Sequence, residues 1–246
     1  MIETSKNRFT INDLTTIYCE SSFVSSIKKE SLFKSEQLYF LYQIPLDIEI
    51  YALLPDTTTK FNRCWIVFQH ECMLVASSAQ EIITYLLDSH HQLKLSWYLK
   101  TMRTLLPVNH YKLPAAIRTQ SLLPLESAKK VTTIWFNPLQ VQLVEEHSFQ
   151  TTIQLTNQLR FLSPIKKRNL TKRIRLAFSC HLMIHTDFSP LYSPIFFPFF
   201  PQAKWLARPF QQVLAHQQHY HRGTFFRQYQ QIIFQEGQQD FEQGPC

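Results

Sequence analysis

Two hydrophobic periods alternate along the chain: short β-branched or aromatic runs, and stretches whose apolar residues recur three and four apart. From Tyr39 the runs at 39–44, 48–54, 64–69 and 72–76 predict strands. The last two are joined by His70-Glu71, a two-residue hairpin connection without the favoured glycine. Ser78-Ala79-Gln80-Glu81 then precedes Ile82, Ile83, Leu86 and Leu87, so a capping box starts a helix that stops near His90-His91. Strands are predicted again at 99–106, 117–123, 131–136, 141–144 and 151–155, with Asn157-Gln158 turning the last one into 160–162.

Alternation is clear in Val141-Gln142-Leu143 and Ile153-Gln154-Leu155, which leaves at least one sheet face wet. That pattern favours an α+β fold with a largely antiparallel sheet core and flanking helices. After it, Ser163-Pro164 fits a helix start, Ser as the cap and Pro in the first turn. In the helix that follows, Leu170, Ile174, Ala177, Phe178 and His181 fall on one stripe, and Arg168, Lys172 and Arg175 line a neighbouring face.

Four regions follow from these patterns. Residues 1–38 form an N-terminal segment in which Leu14, Ile17, Val24 and Ile27 permit a helix, and 39–187 form the α+β core. Residues 188–203 contain Pro190, Pro194, Pro198 and Pro201 among six phenylalanines and tyrosines, an extended linker whose aromatics suit either core cover or docking. Residues 204–246 form a helical, Gln-rich extension with an acidic tail.

Composition narrows the function. With 246 residues, 45% hydrophobic and 17% charged, the chain closes a core without metal or disulfide staples. Its only glycines are Gly223, Gly237 and Gly244, so a phosphate-cradling loop, a dinucleotide fingerprint or a nucleophile elbow has nowhere to form before Gly223. Cys19, Cys64, Cys72, Cys180 and Cys246 are odd in number and scattered, which fits a reduced cytoplasm. The first residues carry no continuous apolar run of a secretory signal, and nowhere do about 18 apolar residues run uninterrupted. The expectation is a cytoplasmic protein with no membrane partner.

Charge is partitioned more sharply than the net +7 suggests. Residues 1–146 balance 14 basic against 14 acidic side chains, 147–235 carry 11 basic residues against the single acid Asp187, and 236–246 add three acids. Six of the ten residues 166–175 are basic: Lys166, Lys167, Arg168, Lys172, Arg173 and Arg175. A basic helix anchored by its own apolar stripe holds several cations against phosphates, each contact releasing counterions, so nucleic acid is the first partner and a membrane surface the second. The competing expectation is an interaction module whose basic strip meets an acidic protein and whose Pro/Phe segment docks.

Other chemistry weighs little. His216, His219 and His221 have no accompanying carboxylate, His90-His91 sits at a helix end where a cation meets the negative end of the macrodipole, and Glu145-Glu146-His147 has no nucleophile beside it. No catalytic constellation, metal set or cofactor motif emerges, so a non-enzymatic protein without cofactors is expected.

One series of motifs carries more weight than any piece of it. Pro107-Val108-Asn109-His110-Tyr111-Lys112-Leu113-Pro114 is followed by Leu122-Leu123-Pro124-Leu125-Glu126-Ser127 and Ile134-Trp135-Phe136. Thr151-Thr152-Ile153-Gln154-Leu155-Thr156-Asn157, Leu162 and Ile174-Arg175-Leu176-Ala177-Phe178 complete it. In order and spacing, residues from about 46 to 178 resemble the bacterial competence transcription factors, the ComK family; Ile50-Tyr51-Ala52-Leu53-Leu54-Pro55 and Glu71-Cys72 echo it upstream. The resemblance implies an activator of DNA-uptake genes that binds A/T-rich double-stranded DNA as a homo-oligomer, reading the minor groove. It also implies proteolytic control through the adaptor MecA and a Clp protease. Arg175 and Ala177 match the family's Arg-x-Ala element, whereas Asn157-Gln158 replaces its Asn-Gly turn. Together the charge and the resemblance nominate Lys166, Lys167, Arg168, Lys172, Arg173, Arg175 and Arg160 as DNA contacts.

Overall fold

Runs rich in Leu, Ile, Val and aromatics pair as strands because their side chains fill both faces of a pleated surface. In a computed structural model, which describes residues 9–10, 38–56, 62–106, 112–128, 130–147, 150–189, 201, 203–217 and 220–242, they form two antiparallel sheets. The larger is ordered β1 (Phe9–Thr10), β4 (Glu71–Val75), β3 (Cys64–Val67), β2 (Ala52–Pro55), β7 (Trp135–Phe136), β6 (Ser121–Pro124) and β5 (Ala115–Ala116). The smaller is β10 (Arg160–Ser163), β9 (Thr151–Leu155) and β8 (Val141–Glu146). The helices are α1 (Ala79–His91), α2 (Leu95–Leu105), α3 (Lys167–Phe188), α4 (Lys204–Gln217) and α5 (Thr224–Glu242). This is the expected α+β class, with a helical C-terminal region.

The larger sheet is a partition between two cores. Leu54, Trp65, Val67 and Leu74 point into a core shared with the small sheet, α3 and α4. Leu53, Cys64, Ile66 and Met73 point into one shared with α1, α2 and α5. Both faces of β3 are therefore buried along its whole length, and the wet face expected from alternation belongs to the small sheet, where β8 exposes Gln142, Leu143, Glu145 and Glu146. The C-terminal helices are part of these cores: Leu206, Phe210 and Val213 of α4 belong to the first, and Phe225 and Tyr229 of α5 to the second.

Several expected elements shift, each for a local reason. Residues 99–106 are not a strand but most of α2, because Leu95, Tyr98, Leu99, Met102 and Leu105 follow a helical period that buries Tyr98 and Met102. Its β-branched residues are accommodated by side-chain bonding, the hydroxyl of Thr101 donating to the Trp97 carbonyl at 2.8 Å. Residues 39–44 contain a 3-10 turn, Leu41–Gln43, and only Tyr39 bridges Val75. The run at 117–123 is broken by a turn at Arg118-Thr119, closed by the Ile117 N–H donating to the Gln120 carbonyl at 2.9 Å, and 131–136 keeps only β7.

The β3–β4 turn falls on Gln69-His70, one residue earlier than expected; the Phe68 N–H donates to the Glu71 carbonyl, and neither turn residue has a positive φ. The capping box before α1 forms as expected, Ser78 Oγ accepting from the Glu81 N–H at 3.2 Å while the Glu81 carboxylate accepts from the Ser78 N–H at 2.7 Å. The helical segment expected within 1–38 lies almost wholly outside the described residues, as do most of the Pro/Phe linker and the end of the tail. Among the described residues no helix is long and apolar enough to cross a membrane.

The β9–β10 hairpin closes through three residues rather than two, with Gln158 at φ +70°, where glycine is favoured. Its amide partly offsets the strain by accepting from Gln154 Nε2 at 2.6 Å. Gln158→Gly is expected to raise stability by about 1 kcal/mol, a Tm gain of about 2–4 °C. A lower Tm in a thermal melt would mean that the amide contact outweighs the backbone strain.

Candidate functional site

The N-terminal turns of α3 are the most basic surface in the described residues, and their form follows from what lies beneath them. Leu170, Ile174, Ala177 and Phe178 are fully buried against the small sheet and α4. On the opposite face Arg168, Lys172 and Arg175 stand exposed, at the i, i+4, i+7 spacing that forms one stripe. Lys166 and Lys167 are exposed at the start of the helix. Five of the seven nominated residues thus share one end of one element.

The helix begins differently from the expected Ser163-Pro164 start. Ser163 is the last residue of β10, paired with Thr151, and its hydroxyl accepts from the Ile165 N–H at 3.1 Å. The N-cap is Lys166, which makes no side-chain cap. A carboxylate from the neighbouring strand serves instead, Glu146 Oε2 accepting from the Lys167 N–H at 3.3 Å.

Two nominated residues have other surroundings. Arg173 is half-buried; its guanidinium donates to the Leu125 carbonyl at 2.9 Å, and burial holds its pKa below the ordinary arginine value. It ties α3 to the end of β6 and is a structural residue, not a free cation. Arg160 is exposed, but it stands on the outer face of the small sheet at the far end of β10 from α3, its Nε donating to Gln154 Oε1 at 2.9 Å. Sequence spacing treated all seven as one set because neither the turn of α3 toward β6 nor the direction of β10 is visible in a count of charges.

The lone acid of the basic region is also spoken for. Asp187 accepts from the Gly223 N–H at 2.8 Å and from the Phe226 N–H at 3.1 Å, satisfying the start of α5. Among the described residues no group of three or more His, Cys, Asp or Glu is placed to hold a metal ion. The side chains of His216 and His219 lie outside what is described. Burial pushes the Cys64 and Cys180 thiols far above their ordinary range, so neither is poised as a nucleophile.

The paired histidines are structural, but not as cations. Both His91 and His181 touch the backbone of Arg118: the Arg118 N–H donates to His91 Nε2 at 2.9 Å, and His181 Nε2 lies 3.2 Å from the Arg118 carbonyl. Desolvation lowers both imidazoles to about 4, with neighbouring His90 and Arg118 adding to the effect at His91. A neutral ring, not a charge on the helix end, is what the site holds.

No family model, curated protein or solved structure matches the chain.

Two outcomes follow from this geometry. Arg173→Ala is expected to cost about 2 kcal/mol by leaving the Leu125 carbonyl unpaired, while Arg168→Ala leaves Tm unchanged; equal losses in thermal melts would contradict the division of roles. Because the two histidines are neutral in the fold and protonate more readily when unfolded, they stabilise the protein above pH 6.5, and that stability is lost as the pH falls toward about 4. Urea midpoints should drop over that window, and His181→Gln should flatten the drop; an unaltered profile would show that the ring is not held neutral.

Proposed function

We propose that this chain is a duplex-DNA-binding transcriptional regulator of the competence-activator type, acting in the cytoplasm without catalysis or a cofactor. The observation that carries the reading is the exposed stripe Arg168, Lys172 and Arg175 on a helix whose other face is buried. A cation row of this kind loses little freedom on binding, because the helix beneath it is already fixed by packing. Along the axis Lys172 is about 6 Å from Arg168 and Arg175 about 4.5 Å further, so successive side chains reach neighbouring phosphates.

The resemblance of residues 46–178 to ComK supplies the finer expectation of A/T-rich boxes, minor-groove reading and a homo-oligomer. Arginine and lysine suit such a target, since a narrow A·T minor groove concentrates negative potential. Arg175 is the point where the two arguments meet: it belongs to the exposed stripe and to the Arg-x-Ala element of the resemblance.

The test is fluorescence anisotropy across a salt series, with a duplex carrying paired A-run and T-run boxes against a G·C-rich duplex of equal length. Tight, A·T-selective binding is expected, and Arg168→Ala with Lys172→Ala should reduce the slope of log K against log salt by about 0.9 for each lost phosphate contact. Weak binding, equal on both duplexes and abolished by moderate salt, would overturn the reading and turn attention to an acidic protein partner.

A further inference from the structure

The basic end of α3 does not stand alone. Lys167 Nζ lies 5.8 Å from the centre of the Trp205 ring, in the first turn of α4. Further along both helices, Phe178 and Phe210 meet edge to face with ring centres 5.1 Å apart. Both contacts advance toward the C-termini, by 11 residues along α3 and five along α4, so the two helices run in the same general sense with crossed axes, and their N-terminal turns lie close together.

What α4 presents there is again basic. Ala203, Leu206, Phe210 and Val213 are buried in the core that α3 also enters, while Lys204 and Arg208, one turn apart, are exposed. Trp205 fixes their position from the side, its Nε1 donating to the Gln142 carbonyl at the start of β8 at 3.3 Å. No acid occurs between Asp187, which is occupied at α5, and Glu236.

We infer that α4 supplies a second row of phosphate contacts, so that duplex DNA is held by Arg168, Lys172 and Arg175 on α3 together with Lys204 and Arg208 on α4. The inference rests on the DNA-binding reading above and extends its site across what looks in sequence like a separate extension beyond a linker. Packed helices have axes about 8–10 Å apart at their contact, so cations on the adjoining first turns come within reach of phosphates on either side of a minor groove about 6 Å wide. The macrodipoles of the two helices also add positive potential at their adjoining N-terminal turns. Glu146, which accepts from the Lys167 N–H, and its exposed neighbour Glu145 offset that potential at the very start of α3. Lys172 and Arg175 lie one and two turns beyond these acids along α3.

The same anisotropy series tests this on the full-length chain with three double variants of equal charge loss: Arg168→Ala/Lys172→Ala on α3, Lys204→Ala/Arg208→Ala on α4, and Arg103→Ala/Arg227→Ala as a control on α2 and α5. The α4 pair is expected to reduce the salt slope by about 1.8, as the α3 pair does, with the control pair changing it far less and Tm unaltered in all three. Charge reversal, Lys204→Glu/Arg208→Glu, should weaken binding further still. An α4 pair that tracks the control while the α3 pair loses slope would overturn this inference and leave the DNA-binding reading standing. A wild-type chain that shows no selective duplex binding would overturn both.

Discussion

The burial of one helix organises this protein. α3 is the only described helix whose side chains enter both cores: Leu170, Ile174, Phe178 and Leu182 lie on one side of the large sheet, and Cys180, Met183 and Ile184 on the other. Leucine, isoleucine and phenylalanine side chains each contribute about 1.5–3 kcal/mol when fully buried, so this element is where much of the hydrophobic stabilisation of the two halves is shared. The arrangement constrains the first turns of the same helix. Their inward positions are taken by Leu170 and Ile174, and the sequence fills the outward ones with lysine and arginine. Position and charge are thus two consequences of one packing decision.

Much of this is legible in the sequence. The apolar stripe of α3, the capping box of α1 and the α+β class follow from period and capping chemistry alone, because each depends on residues close in sequence. The misassigned elements share a different cause. Residues 99–106 hold only four apolar side chains, Leu99, Met102, Leu105 and Leu106, and their helical period shows only when Leu95 and Tyr98 are counted with them. The turn at Arg118-Thr119 has no glycine or proline to announce it, in a chain whose three glycines lie at its end. Where the usual punctuation is missing, tertiary packing sets the boundaries, and local reasoning loses them.

The candidate site divides along the same line. Charge density singled out seven residues, and burial separated them by role: five exposed around the start of α3, Arg173 turned inward to the Leu125 carbonyl, and Arg160 on another face. A guanidinium can serve as a solvent-facing cation or as a multi-donor clamp for buried carbonyls, and sequence does not distinguish the two. The cost of a wrong assignment is practical. Substituting Arg173 would weaken the fold, and in a test of the proposed DNA binding that loss would pass for a lost contact.

Trp205 shows why the extension belongs in the same argument as the core. An aromatic face receives the Lys167 ammonium while the indole N–H is fixed by the backbone of β8, so one side chain ties together α3, α4 and the small sheet. Such a junction resists independent motion of the two helices, and two rigid cation rows lose less entropy on meeting a rigid polyanion than two tethered ones. If the helices moved separately, their charges would still attract DNA, but salt would weaken that attraction without any preference for groove shape. In the proposed complex, shape selectivity would therefore depend on the apolar contacts beneath the charges as much as on the charges themselves.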